Sequence, residues 1–190
     1  MNANDLPNCV ARFVYHRDLV DADYHLFGSA RDLGFVKVAA DELDEMGNDL
    51  GIAEYHAFAG VSAARAAVDA AASWLNELDE LGLRGTRIDF KKEPFSRALL
   101  SRRPQLAQVA ERLSGVLDQI DEFRQRAQHR EGLALAFYAT QPGGPTGGWY
   151  LTRGLQSPRG EDQHLSTLLH SWARLIEEEL CSIVTSMAES

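Results

Sequence analysis

From Leu106 to Ala127 the chain places an apolar residue at every third or fourth position: Leu106, Val109, Leu113, Val116, Ile120, Phe123 and Ala127. Steps of three and four keep these side chains on one face of an α-helix and scatter them over both faces of a strand. The segment therefore reads as a helix with a single face to bury, beginning near Ser101 to Pro104, with Gly115 beside the seam as its weak point. Three such heptads fit either a seam inside a bundle or a contact between two chains.

Two further stripes obey the same rule. Val61, Ala64, Val68, Ala71, Leu75 and Leu78 lie along one face, and seven alanines between Ala63 and Ala72 would let a neighbouring backbone approach closely. Leu165, Leu168, Trp172, Ile176, Leu180, Ile183 and Met187 lie along another, in a helix expected from about Glu161 to Met187. Glu177, Glu178 and Glu179 are expected on its solvent side. A weaker helical pattern spans Asp21 to Met46, where Gly28 and Gly34 invite a kink or break. Gly82 and Gly85 end the alanine-rich helix, and Gly132 ends the 106–127 helix.

Extended structure is confined to short segments. Cys9 to Tyr15 suits a strand or extended arm, TRIDFKKEPF looks extended, and Pro94 can start a helical turn. LALAFYAT (133–140) and GWYLT (148–152) flank the loop QPGGPTG, which predicts a small hairpin. No Gly-Lys-Ser/Thr follows those glycines and no helix starts there, so they are no phosphate-binding P-loop. The expected architecture is mainly α: an antiparallel bundle of four to five helices with a small β-hairpin before the last helix. It forms a single domain over residues 1–190, with 1–20 as an N-terminal arm.

Composition narrows the class. The start lacks a basic stretch leading into an apolar run, and no segment nears the roughly 18 uncharged apolar residues of a membrane span, so a cytoplasmic protein with no membrane association is expected. Cys9 and Cys181 match no metal or redox spacing and read as reduced thiols in preference to a disulfide. The net charge of −9 is uneven. Lys91 to Arg130 holds nine Lys or Arg against five Asp or Glu, whereas Asp41 to Glu54 holds six acids and no base. This is either a basic face that would guide a polyanion or a pair of solvated helix faces.

Arg124, Arg126, His129 and Arg130 close the 106–127 helix. An imidazole titrating near neutral pH can take the 2′-hydroxyl proton of RNA, and a guanidinium can stabilise charge on the attacked phosphate. On a straight helix Arg124 and His129 stand about 140° apart, so a frayed end, a long reach or a second subunit must unite them. Solvated residues capping helix carbonyls and pairing with Asp121, Glu122 or Glu131 are the alternative. The spacing recurs at Arg159 and His164 amid acids, where it carries little. Glu54 with His56, and His164 with His170, lack a recognised metal-ligand spacing, and no cofactor motif is present. Trp74, Trp149 and Trp172 read as packing, although Trp149 and Tyr150 could stack on a base. Asp69 and Asn76 stand on the alanine helix, where they either bond loop backbone or orient the Arg/His cluster. No Ser/His/Asp or Cys/His nucleophile arrangement is evident.

AFAGVSAARAAVDAAASWLN (57–76), IDF (88–90) and IDEFRQRAQHREGLAL (120–135) together resemble the HEPN superfamily, helical bundles with an Arg-polar-x3-His motif near the end of a late helix. The likeness covers Glu54 to Leu135, under half the chain. It implies a metal-independent endoribonuclease of the kind found in toxin or phage-defence systems, working without cofactor as a homodimer whose two Arg/His pairs share a cleft. Carried over, Arg124 stabilises the phosphate, His129 is the general base or acid, and Arg126 and Arg130 bind RNA. Gln125 takes a polar position usually filled by Asn, Asp or His, with Asp69 and Asn76 in support. Other HEPN-like proteins are non-catalytic modules that bind a protein partner or nucleotide, so the fold leaves function open. A metal-dependent bundle enzyme using the scattered histidines is a third expectation.

Overall fold

Small residues meet where the first two helices of this bundle touch. Helix α1 spans Ala22–Glu45, α2 Leu50–Leu78, α3 Glu93–Arg102, α4 Ala107–Gln128 and α5 Leu165–Ala188. Strands β1 (Leu135–Tyr138), β2 (Gly148–Leu151) and β3 (Gln163–His164) form one antiparallel sheet in that order. The computed structural model describes residues 22–45, 49–128, 135–139, 147–152, 155 and 161–188, with every side chain there except those of 22–24, 26, 27, 128 and 188. The expected N-terminal arm with Cys9, the helix stop at Gly132 and the hairpin tip at 141–146 lie outside those residues.

The fold is mainly α, with a small sheet ahead of the last helix. Helices α1, α2, α4 and α5 run antiparallel to their neighbours around a common core, α1 and α4 at diagonal corners. Contacts at successive levels fix the directions. Ser29 and Ala39 of α1 meet Ala67 and Gly60 of α2. Phe58 and Arg65 of α2 meet Phe123 and Asp121 of α4. Gln119 and Arg112 of α4 meet Trp172 and Glu179 of α5. Every residue of the 106–127 seam is buried except Ala127, which packs against the core, so the seam belongs to the inside of this bundle.

Five sequence expectations need correction. Helix α1 runs unbroken through Gly28 and Gly34, because its buried row of Leu33, Val36, Ala40 and Leu43 holds it against the core on both sides of Gly34. TRIDFKKEPF is not extended: Gly85–Arg87 form a 3-10 turn, the chain turns again from Asp89 to Lys92, and Pro94 lies in the first turn of a full ten-residue helix in place of one turn. Leu106 lies in a 3-10 turn from Pro104, and α4 begins only at Ala107. Of the three consecutive glutamates only Glu178 faces solvent. Glu177 and Glu179 are buried and paired, with Lys37 at 2.8 Å and with Arg112. The two-residue strand β3, which pairs Tyr150 with His164, has no sequence signal of its own.

Loops are fastened by side chains. Asp49 caps α2 by accepting from the Ile52 N–H. Past its end, Gly82 takes φ +68°, a left-handed turn that brings Leu83 back to Asn76. Asn76 then exchanges two hydrogen bonds with the Leu83 backbone, at 3.1 and 3.3 Å. Arg103 forks onto Asp79, its Nε and one terminal nitrogen both within 2.9 Å of the carboxylate, tying α3 to the end of α2.

Gly60 marks a tight helix contact. A Cβ there would stand 2.8 Å from Leu169 Cδ1 and 3.2 Å from Ala39 Cβ. Gly60→Val is therefore expected to lower stability by about 2 kcal/mol through overpacking. Gly34→Ala, in helix interior with open space around it, should raise it by about 1 kcal/mol. Urea unfolding of the two variants beside the parent checks both signs.

Candidate functional site

The cations that close the 106–127 helix are only partly among the described residues. Arg124 lies near the end of α4, half-buried, with no ion pair or hydrogen bond to another described residue. Gln125 is exposed. Arg126 pairs with Glu122 one turn back at 2.5 Å. His129 and Arg130, like Arg159, lie outside the described residues, so the geometry places one member of the Arg/His pair.

Of the two supporting residues, Asn76 stands apart from Arg124, and Asp69 is bound to a different arginine. Phe58 meets Phe123 edge to face, which sets the level of Arg124 beside the first half of α2. Asn76 is 18 residues further along that helix, about 27 Å by helical rise, and its amide is spent on the Leu83 backbone. Asp69 is bound to Arg65 at 3.1 Å.

That arginine organises the largest charge network, one that sequence reasoning did not find. The Arg65 guanidinium reaches Asp69 of α2, Asp89 of the α2–α3 loop at 2.7 Å and Asp121 of α4 at 3.5 Å. Lys91 then bridges Asp118 and Asp121, at 2.7 and 2.8 Å. Only the Arg65–Asp69 spacing of four could have signalled it in advance. Burial by itself would lower the Arg65 pKa, but the bond from Asp89 and the charges of Asp69, Asp89 and Asp121 raise it. Asp69 moves the other way from an ordinary ion-paired carboxylate: burial first, then Asp89 and Asp121, outweigh Arg65 and push its carboxyl up.

Five of the nine cations between Lys91 and Arg130 are thus held in internal ion pairs: Lys91, Arg97, Arg103, Arg112 and Arg126. A shallow cavity of about 460 Å³ lies between α3 and α4, where Gly115 leaves room. Phe90 and Leu100 line it, with Glu111 and Asp118 at its edge, an acidic rim that does not suit phosphate.

At the start of α5 a Ser/His/Asp group assembles that the sequence did not reveal. Ser166 donates to Asp44 at 2.5 Å, and its oxygen lies 3.2 Å from His164 Nδ1. Ser166 is 3% exposed and already bound to the carboxylate, so its oxygen is no accessible nucleophile. The imidazole packs edge-on to Tyr150, and its Nδ1 faces the Thr167 hydroxyl at 3.1 Å. This cluster joins the sheet to α5 and α1. His170 pairs with Asp41 at 3.2 Å. No group of three or more His, Cys, Asp or Glu among the described residues is placed to hold a metal ion. Trp74, Trp149 and Trp172 are buried, and Trp149 packs on Phe137.

The most conspicuous surface is apolar. Phe35 and Val38 of α1 are each 56% exposed, Ile52 of α2 is 48% and Tyr55 is 69%. Helical angles place Phe35 and Val38 on the side of α1 that adjoins α2, next to a row of Ala59, Ala63, Ala66 and Ala70. No other described element covers this outer face of the α1–α2 hairpin. Among the described residues no helix is long and apolar enough to cross a membrane.

Arg65→Met should cost about 3 kcal/mol, because it strands the buried carboxylate of Asp89. Asp69→Asn should do the opposite. A raised carboxyl pKa means the folded chain holds that proton more tightly than the unfolded chain, so Asp69 favours the fold at low pH and loses that advantage as pH rises through its folded value. The asparagine variant is expected to be at least as stable as the parent at neutral pH, with the gap closing towards about pH 4. Denaturant titrations at both pH values test the pair. Comparison of the chain with protein-family models, with curated proteins and with solved structures yields no match.

Proposed function

We propose that this chain is a non-catalytic, HEPN-like helical module that works by binding a protein through the outer face of the α1–α2 hairpin. One observation carries the reading: Phe35, Val38, Ile52 and Tyr55 stand in solvent beside a row of alanines. Single exposed apolar residues are commonplace, but a contiguous group flanked by charge marks an interaction surface. Arg31 and Glu42 provide that flanking charge at the two ends of the α1 stripe.

Phe35→Glu combined with Val38→Glu should leave the melting temperature and circular dichroism of the purified chain unchanged, since neither side chain packs in the core. The tagged full chain, isolated from its own cells, should carry a stoichiometric protein that the double variant lacks. Equal recovery of that protein with both forms removes the reading.

A second reading, the metal-independent endoribonuclease acting as a homodimer, draws on Arg124, a half-buried guanidinium uncommitted to any other described residue. Arg124 would stabilise the phosphate and His129 would exchange the 2′-hydroxyl proton, with Gln125, Arg126 and Arg130 alongside. Cleavage of RNA in excess chelator, lost in both Arg124→Ala and His129→Ala, is its expected signature. Absence of cleavage, or full activity in either variant, ends it.

A further inference from the structure

We infer that the partner on this face is a second copy of the chain, packed α1 against α1 in antiparallel register about a two-fold axis between Val36 and Lys37. The inference rests on the binding-module reading and adds the identity of the occupant. Its basis is a symmetry in the exposed stripe of α1. Arg31, Phe35, Val38 and Glu42 follow one another at steps of four, three and four, so they form a single ridge. Reversing the helix about the midpoint of that ridge exchanges Arg31 with Glu42 and Phe35 with Val38. Each copy then offers the other what it lacks: a cation meets an anion twice, and Phe35 meets Val38 twice. A two-fold interface demands this kind of self-complementary patch, and a foreign partner would not. Parallel pairing would set Arg31 on Arg31 and Glu42 on Glu42.

The surroundings fit the same arrangement. Glu42 makes no ion pair with another described residue, although the end of α1 is crowded with acids. Arg31 is 63% exposed in its side chain and, among the described residues, is bound to its neighbour Asp32 alone. The alanine row of α2 flanks the ridge and permits close approach of the facing hairpin. Helix α4 stands diagonally across the bundle from α1, so this pairing keeps the two Arg124 side chains apart and is distinct from a shared Arg/His cleft.

Sedimentation velocity on the full chain should show a concentration-dependent dimer. Arg31→Glu or Glu42→Arg alone sets like charges opposite each other and should weaken it at least tenfold, and Arg31→Glu with Glu42→Arg should restore it. Phe35→benzoylphenylalanine in the full chain should give a photoproduct of twice the mass. A monomer at every concentration, a dimer indifferent to the single charge changes, or a crosslink running instead to residues 1–21 of the same chain overturns the inference. If the chain is monomeric while Phe35→Glu with Val38→Glu still strips a foreign protein, only the occupant is wrong and the module reading stands.

Discussion

Helices α1 and α2 can lie as close as they do only because small residues meet between them. Ala39 faces Gly60, and the Ser29 hydroxyl donates across the gap to the Ala67 carbonyl at 2.6 Å. That single contact has consequences throughout the bundle. Alanines bury little area, so this pair supplies little hydrophobic stabilisation for its length. The larger share comes from the far side, where Phe95, Leu99, Leu113, Leu117 and Phe123 are fully enclosed. A seam this narrow has no room for bulk: Trp74, Leu33 and Leu43 turn towards the core, while Phe35 and Tyr55 stand on the outside of the hairpin. The exposed face and the tight seam are two sides of one packing decision.

Charge complements what the alanines cannot provide. Arg65 ties α2, the α2–α3 loop and α4 through three carboxylates. Lys37 ties α1 to α5, Arg103 ties α3 to α2, and Arg112 ties α4 to α5. Lys37, Arg65 and Arg103 are themselves partly buried and Arg112 is exposed, but each meets a carboxylate that is buried or half-buried. Breaking one costs far more than a surface pair would, because the remaining charge stays desolvated. Such pairs also fix register, since a one-turn slip of any helix would strand both partners.

The sequence makes the helices legible and the pairings illegible. Stripes at steps of three and four located α2, α4 and α5 because each has one dominant buried face. The same periodicity misplaced Glu177 and Glu179, which lie at the edges of the buried arc. An edge position is exposed or covered according to whether a neighbour brings a cation, and Lys37 stands 140 residues away in sequence. Strand β3 was invisible for a related reason: two residues have no period. The Arg65 network needed contacts across 24 and 56 positions, beyond any local signal. Asn76 was the reverse case, since a loop-bonding asparagine beside a glycine turn is a local event, and its simpler expectation is the one the geometry shows.

The basic segment shows how composition and geometry part company. A local excess of positive charge attracts a polyanion only through cations free to replace its counterions. A cation already locked to a carboxylate must first break that bond, and the exchange then releases little. With Lys91, Arg103 and Arg112 committed to bonds that hold the helices in place, the charge count of this segment overstates what RNA would meet. Lys92, Arg102 and Arg124 are its described cations without such bonds, and they are spread from the α2–α3 loop to the far end of α4. A polyanion spanning them would cross the acidic residues between. The stripe of α1 has the contrary property. Its charges are few, but they are solvent-exposed, they lie at the ends of an apolar ridge, and their signs match under reversal. Composition leaves the basic segment open between a face that would guide a polyanion and a pair of solvated helix faces, and the ion pairs of Lys91, Arg103 and Arg112 weigh on the second side.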